Sequence, residues 1–238
     1  MNLGGDFSAD EAIQMAREYG VEALVLLSPT LPMPFVRAFE STGLTVIQAF
    51  DFKSQQPIMS QGAVADAAAG RLAARTLEER GYRRLAFLGG PRSDKSVRDP
   101  FPGFRAVCER RGIKLQLFRA KAWTYQAGFN AMQHILKSTE CDACFCASDL
   151  LGIGALAALR KNGRQVPDEF GLIGLDDIAM SAWHDIDLTT IRIPRNQIAR
   201  HCINLMLEER DDPNRLPESR LIKPRLIERA TLRPSFQG

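Results

Sequence analysis

The chain has 238 residues, of which 45% are hydrophobic and 25% charged, a balance typical of a globular protein with a sizeable core. The net charge is only +3 and the basic residues are spread along the chain, which excludes a basic tail that neutralises nucleic-acid phosphates. No aliphatic run approaches the roughly 20 residues that cross a membrane. Residues 1–7 lack a signal-peptide core, and five cysteines fit a reducing compartment, so we expect a cytoplasmic protein with no membrane partner.

Short apolar runs alternate with helical patterns through the first part of the chain. The pattern predicts a helix at 10–19, a strand at 21–27, a short helix at 34–41, a strand at 45–49, a looser stretch at 51–61, a helix at 66–80 and a strand at 84–88. The continuous aliphatic run at 21–27 predicts a strand that is buried on both faces.

The alternation continues to the end of the chain. It predicts a helix at 102–111, a strand at 114–118, a helix at 124–137, a strand at 143–146, a helix at 149–161, strands at 170–175 and 189–193, a helix at 197–208 and a strand at 221–226. Repeated βα alternation predicts an α/β fold with mainly parallel strands and helices on both faces. About eight strands fit either one sheet or two smaller doubly wound lobes.

Ligands of such folds bind beyond the carboxyl ends of the strands, so the residues that follow each strand are the candidates for a site. They are Ser28, Asp51, Arg92 to Arg98, Trp123, Ser148, Asp149, Asp176 and Asp177. Carboxylates and arginines hydrogen bond to hydroxyl groups, and an aromatic face packs on a sugar ring, so this set indicates a sugar or polyol site. The alternative for any one of them is a helix N-cap or a solvated loop, and Asp149 is an N-cap candidate on either interpretation.

Residues 152–157 fit the pattern G-x-G-x-x-A, the outline of a dinucleotide site. The glycines fall inside a predicted helix, however, and Asp149 places a negative charge where a pyrophosphate would bind. We therefore expect no nicotinamide site and no cofactor.

The cysteines at 141, 144 and 146 resemble a metal cluster only in spacing. Strand alternation points Cys144 and Cys146 to one face, with no fourth ligand near in sequence, so we expect buried thiols and no metal. No nucleophile is paired with a base, and we expect no enzyme activity. A catalytic carboxylate such as Asp176 in an α/β enzyme is kept as an alternative.

Several segments, in order and over nearly the whole chain, match the motifs of one known family. Residues 142–155 read DACFCASDLLGIGA and are similar to the family's DAIFCANDLMAIGA. Residues 166–178 read VPDEFGLIGLDDI, similar to VPEDVSVIGFDDI, and LTTIR at 188–192 matches the family's LTTIR. GYRRLAFLGG at 81–90, GFR at 103–105 and PRLIERAT at 224–231 are similar to GHRRIAFIGG, to the GFRAAL helix and to PRLVERAS. In this ordered set of motifs the chain resembles the LacI/GalR family of transcriptional regulators.

The resemblance implies two doubly wound parallel-sheet lobes of the periplasmic-binding-protein type I kind. One lobe comprises residues 1–64 and 195–220 and lacks the family's first strand and helix; the other comprises 65–194 and 221–233, and 234–238 form a tail. A small-molecule effector is expected in the cleft, and the protein is expected to be a homodimer. Operator DNA would be bound through a helix-turn-helix that this sequence does not contain, coupled to the effector site. A solute-binding protein of the same fold is the alternative.

The resemblance also implies roles for single residues. Asp176 matches an aspartate that binds effector hydroxyls, and Trp123 matches an aromatic residue that packs on the ligand. Ser148 and Asp149 take the place of an Asn-Asp pair, with Ser replacing Asn.

Other positions match less closely. Asp51 lies near a further ligand-facing acid, and Arg98 stands five residues before Gly103, where relatives have an arginine three before it. Arg195 lies near a cleft position that is often apolar in relatives, and an arginine there suits an anionic effector, such as the sugar acid gluconate. Trp183 and His184 match the dimer interface.

Overall fold

The computed structural model describes residues 9–27, 38, 42–50, 57, 59–92, 99–212 and 214–235. The chain divides into two compact units. The smaller unit comprises Met1–Ala65 and Arg195–Ile222, and the larger unit comprises Asp66–Pro194 and Lys223–Gly238. In the described part of the chain, no helix is both long and apolar enough to cross a membrane.

The smaller unit is built on a parallel sheet with the strand order β1-β2-β3-β9. Its elements are α1 (Ala9–Glu18), β1 (Ala23–Leu26), β2 (Thr45–Ala49), β3 (Gln61–Ala63), α6 (Arg195–Asp211) and β9 (Ser219–Leu221). Helix α1 buries Ile13 and Ala16, the two residues that its periodicity places inward. The predicted helix at 34–41 lies outside the described residues except for Ala38.

The aliphatic run of β1 predicts a strand that is buried on both faces, and this prediction is wrong. Val25 is 39% exposed, and Leu27, just beyond the strand, is 69% exposed. Among the described strands β1 lies at the edge of its sheet and pairs only with β2. An aliphatic run shows that a strand can be buried. The position of the strand in its sheet determines how much of it is buried.

The short strand β3 is not predicted by the sequence, and it begins at the last residue of the stretch predicted to be loose. It is only three residues long and contains Gly62, which carries no β-strand signal. A Cβ at Gly62 would lie 2.8 Å from the Cys202 Sγ of α6, so the glycine lets this helix pack directly on the sheet.

The larger unit has a sheet with the strand order β10-β8-β7-β6-β4-β5. All neighbouring strands are parallel except β10, which is antiparallel to β8. The elements are α2 (Asp66–Glu79), β4 (Arg84–Gly89), α3 (Phe101–Arg111), β5 (Lys114–Arg119), α4 (Tyr125–Ser138), β6 (Ala143–Cys146), α5 (Asp149–Lys161), β7 (Gly171–Asp176), a 3₁₀ turn (Ala179–Ala182), β8 (Thr190–Arg192) and β10 (Arg225–Ile227).

The single strand predicted at 221–226 is wrong, because the structure has two strands here. Strand β9 ends at Leu221 in the smaller unit, and β10 begins at Arg225 in the larger unit. Pro224 lies between them and has no N–H to give to a sheet. The interruption is where the chain passes from one unit to the other.

Helices α4 and α5 pack closely through glycines. A Cβ at Gly154 would lie 2.0 Å from the Tyr125 carbonyl oxygen, and a Cβ at Gly128 would lie 2.3 Å from that of Leu151. These glycines therefore serve contact between helix backbones. Gly152 and Gly154 both lie inside α5, as the sequence predicts, and neither occupies the strand-to-helix turn that a dinucleotide site requires.

Candidate ligand site at the carboxyl edge of the larger sheet

The parallel strands of the larger unit end at one edge of its sheet. The registers pair Gly89 with Arg119, Leu88 with Cys146, and Asp176 with Arg192. The segments that follow β4, β5, β6 and β7 therefore start from the same edge. This is the edge at which open α/β sheets bind their ligands.

Trp123 follows β5 and is held at this edge by Gly90, which follows β4. A Cβ at Gly90 would lie 2.2 Å from the Trp123 Cε2 and Cζ2 atoms, so only glycine lets the indole lie so near the backbone. The indole is partly buried and packs against the core that α4 and α5 share with the sheet. It is a fixed aromatic surface, which a sugar ring or another flat ligand can use for packing.

Ser148, rather than Asp149, is the N-cap of α5. Its backbone is extended (φ −156°, ψ 156°), and its Oγ accepts a hydrogen bond of 3.3 Å from the Leu151 backbone N–H. The capping oxygen acts as an acceptor, so the hydroxyl proton is left to donate to another group.

Asp149 is the first residue of α5 and is fully buried. Its Oδ1 accepts a hydrogen bond of 2.5 Å from the Thr190 hydroxyl, and its Oδ2 accepts one of 2.8 Å from the Ile178 N–H. The carboxyl group thus joins the start of α5 to β8 and to the segment after β7. These contacts give Asp149 a structural task beside the effector role that the resemblance implies.

Burial raises the pKa of Asp149 to about 6, and the negative charge of Asp176 adds to this effect. The hydrogen bonds from Thr190 and Ile178, together with the nearby Ser181, lower the pKa and only partly offset the burial. Ionisation of Asp149 near neutral pH therefore lowers the free energy of unfolding, because the protonated carboxyl group is easier to bury than the charged one.

The turn after β7 has an unusual backbone. Asp176 has φ 113° and Asp177 has φ 56°, both in the region that favours glycine. Such conformations cost of the order of 1–3 kcal/mol each and persist only where the surroundings impose them. The surroundings do so at Asp177, as its ion pairs show.

Asp177 is held by two arginines from different strands and loops. The Arg229 guanidinium lies 2.6 Å from one carboxylate oxygen, and the Arg192 guanidinium donates to the other. Burial opposes the charge, but the two arginines outweigh it and lower the pKa of Asp177. Arg229 also donates to the Leu188 carbonyl oxygen. The fixed Asp177 in turn fixes the position of Asp176, the candidate ligand contact.

The remaining candidates lie elsewhere. Arg195 is the first residue of α6, is exposed and belongs to the smaller unit. Asp51 and Arg98 lie outside the described residues. The structure therefore brings Trp123, Ser148, Asp149 and Asp176 to one edge of one sheet.

The two candidate interface residues lie on the surface of the larger unit. Trp183 follows the 3₁₀ turn and is 58% exposed, and the next residue, His184, is also exposed. An indole this exposed offers an apolar surface that another molecule can cover.

Cys144 and Cys146 point to the same face of β6, as the alternation predicts. Their sulfur atoms lie 3.9 Å apart, and both residues are fully buried. Among the described residues, no group of three or more His, Cys, Asp and Glu side chains could hold a metal ion.

Sequence reasoning missed the residues that support the edge. Thr190 and Arg229 lie 41 and 52 positions from the carboxylates that they contact. No local spacing links residues so far apart. The one signal in the sequence was the Asp-Asp pair at the end of a predicted strand. In the fold, Asp177 binds its arginine partners and Asp176 is the candidate ligand contact.

Comparisons with known proteins agree on one fold. A family profile described as a periplasmic binding protein-like domain matches residues 74–232. The HTH-type transcriptional repressor PurR of Escherichia coli O1:K1 / APEC is 27% identical over 228 residues, which cover 92% of this chain. The chain spans 66% of that relative's length, slightly less than two thirds.

Two solved structures share the architecture. A LacI family transcriptional regulator from Enterococcus faecium with bound ribose has a TM-score of 0.81 at 21% identity, covering 96% of this chain and 85% of its own. A complex of the transcriptional regulator CelR with cellobiose has a TM-score of 0.78 at 24% identity, covering 94% of this chain and 71% of its own. At these identities, the likeness establishes the fold.

Proposed function

This chain belongs to the family of periplasmic-binding-protein-like domains, as an effector-binding domain of the LacI/GalR type, and we propose that it senses a small sugar or sugar acid for a transcriptional repressor. The observation that carries the proposal is the common edge of the larger sheet. Trp123 follows β5 there and Asp176 ends β7, and each is fixed by its own supporting residues. An aromatic surface for ring packing and a carboxylate for hydroxyl hydrogen bonds are the least that a site needs to bind a polyhydroxylated ligand.

Each residue of the edge has a distinct role in the proposal. Asp176 accepts hydrogen bonds from ligand hydroxyls, and charge makes such bonds stronger than neutral ones. Trp123 packs on the apolar face of the ring, and the Ser148 hydroxyl donates to a ligand oxygen. Asp149 contributes by positioning Ile178 and Thr190 behind the site.

The charges and the relatives support the class of effector that we propose. The structural relatives carry ribose and cellobiose, which are neutral sugars. Here Arg195, Arg98 and Asp51 complete the set that the resemblance implies, and the two arginines suit a carboxylate, as in gluconate. We place these three residues at the effector on the strength of that resemblance.

The proposal extends to the whole regulator. The relative PurR is a helix-turn-helix repressor, and by the same scheme this chain would control operator DNA through such a headpiece. It would act in the cytoplasm as a homodimer, with Trp183 and His184 at the interface. Its role is binding and allosteric coupling, without catalysis.

A thermal-shift screen tests the effector class. The panel contains ribose, cellobiose, gluconate, purine bases and NAD. A ligand at about 100 times its Kd stabilises the fold by roughly 2.7 kcal/mol, so a true effector raises Tm measurably. We expect a sugar or sugar acid to do so, and we expect Asp176→Asn to weaken that ligand at least about tenfold, because a charged hydrogen bond is worth about 1.5–3 kcal/mol.

The matched control is Asp185→Asn, which removes the charge of an exposed aspartate of the same unit. It should leave the ligand-induced shift unchanged. A shift given by NAD alone, or an equal loss in both variants, would contradict the proposed site.

A further inference from the structure

A second concave site lies on the larger unit, between strand β5 and helix α4. It is a groove of about 450 Å³, here named the β5 groove, and its lining includes Phe118, Arg119, Lys121, Ala127, Ala131 and His134. Trp123, Ser148, Asp149 and Asp176 do not line it. Its volume falls within the range of about 300–1,000 Å³ that small-molecule pockets occupy.

The floor of the β5 groove is apolar because α4 presents small side chains to it. Ala127 and Ala131 lie one helical turn apart, so both methyl groups face the same side. The opposite wall is the Phe118 ring, which His134 meets edge-on at 6.1 Å between ring centroids. The two alanines and the Phe118 ring give the groove an apolar lining.

The rim of the groove is cationic. Arg119 and Lys121 line it, and no carboxylate does. Within the described part of the chain, neither of the two forms an ion pair. This contrasts with Arg80, Arg192, Arg215, Arg220 and Arg229, each of which pairs with a carboxylate.

The polar side of the groove contains two amides and an arginine. The Gln126 Nε2 donates a hydrogen bond of 3.0 Å to the Asn130 Oδ1 on the exposed surface of the helix. The Arg119 Nη1 lies against the backbone of Gly89, where an added Cβ would be 2.5 Å from it. These side chains are exposed, so a ligand in the groove can reach them from solvent.

We propose that the β5 groove binds a small organic anion with an apolar body. The acidic head lies between Arg119 and Lys121, and the body lies between Phe118 and the Ala127–Ala131 face. Cations beside an apolar surface attract such a ligand more strongly than either feature does alone, because the surface excludes water from the ion pair. Its lining contains none of the described candidate effector residues, and the inference does not depend on the proposed function.

The proposal is tested with two dyes that share one body. The probe is 8-anilino-1-naphthalenesulfonate, and its neutral counterpart is N-phenyl-1-naphthylamine; fluorescence titrations give Kd for the full chain. We expect saturable binding of the sulfonate. In Lys121→Gln or Arg119→Gln its Kd should rise about tenfold, while the neutral dye should bind as before. In Ala131→Leu, which fills the floor, both dyes should weaken.

Matched controls on helix α3 of the same unit use exposed positions. Arg110→Gln removes a cation, and Ala106→Leu adds the same side chain at a site away from the groove. All variants change surface or groove residues, and each is first confirmed to unfold cooperatively. Equal Kd values for the sulfonate in Lys121→Gln and Arg110→Gln, or in Ala131→Leu and Ala106→Leu, would overturn the proposal. Non-saturable binding would overturn it too.

Discussion

The buried carboxyl group of Asp149 holds two hydrogen-bond donors in place with its two oxygens. An asparagine has the same shape and could keep both contacts. Its Oδ1 can accept from the Ile178 N–H, and its Nδ2 can donate to the Thr190 hydroxyl, which accepts as well as donates. An alanine leaves both donors buried without a partner. The charge at this position is therefore separable from the hydrogen bonds.

The charge of Asp149 should make the protein less stable as the pH rises. The pKa is about 6 in the fold against 3.8 for the ordinary side chain, so the folded state binds the extra proton between these values. Stability from this group is greatest at low pH and is lost as the pH rises through 6. Between pH 5 and 7 the loss should be about 1 kcal/mol.

Urea unfolding at pH 5 and pH 7 measures this effect against Asp149→Asn. Relative to the wild type, the variant should gain about 1 kcal/mol over this interval, because it has no charge to develop. Asp149→Ala, the control for lost hydrogen bonds, should be destabilised by about 2–4 kcal/mol at both pH values. A constant difference between wild type and Asp149→Asn would show that Asp149 is already ionised at pH 5.

The sequence identifies the candidate residues at this scale better than it identifies their roles. Asp149 and Asp176 were both recognisable as acids that follow buried strands. Their different surroundings were not, because the burial of Asp149 depends on Thr190, a residue of another strand. The pairing of Asp177 with Arg229 likewise exists only once the sheet has formed. Side-chain partners across a sheet follow from strand order, which local patterns do not determine.

At the scale of elements, the contact between α4 and α5 depends on the absence of side chains. Alanine is a better helix former than glycine by about 1 kcal/mol, so helix propensity alone favours replacement of Gly154. The structure opposes it, since the new Cβ would lie 2.0 Å from the Tyr125 carbonyl oxygen. Backbone atoms cannot rotate away as a side chain can, and the helices would have to separate.

Gly154→Ala should therefore destabilise the protein by about 2–3 kcal/mol in urea unfolding, against the propensity. The control is Gly152→Ala in the same helix, where the nearest atom is the Leu188 Cδ2 at 3.0 Å. That side-chain end can shift, and the expected change is within about 1 kcal/mol. If both variants were equally stable, the helices could not be in such close contact.

The elements that were predicted well are those with long, repeated patterns. The helices of the larger unit and its strands β4, β5 and β6 begin and end within a few residues of their predicted bounds. The failures have local causes. Strand β3 contains a glycine where α6 packs, and the apolar residues at 221–226 belong to two strands of different units. Periodicity detects what a segment buries, and it cannot show which sheet a short segment joins.

At the scale of the whole molecule, the exposed indole of Trp183 is a candidate contact between two copies of the chain. Trp183 follows a 3₁₀ turn whose C-cap N–H is bonded to the Met180 carbonyl oxygen, so its backbone is fixed. Large aromatic residues that are exposed and rigid are the ones most often found at the centre of protein interfaces. The LacI/GalR resemblance independently assigns Trp183 and His184 to contact with a second copy of the chain.

Trp183→Glu should weaken self-association at least about tenfold in sedimentation velocity, because interface tryptophans commonly contribute 2 kcal/mol or more. The matched control is Leu216→Glu, at an 83% exposed position of the smaller unit, which should sediment as the wild type does. Neither side chain is buried within its own chain, so both variants should still fold and unfold cooperatively. If both variants dissociate alike, the added charge is responsible and not the site. If the wild type remains monomeric at about 100 times the Kd of a typical stable dimer, the indole does not mediate dimerisation of this chain. A specific interface that buries an aromatic anchor would be populated at that concentration.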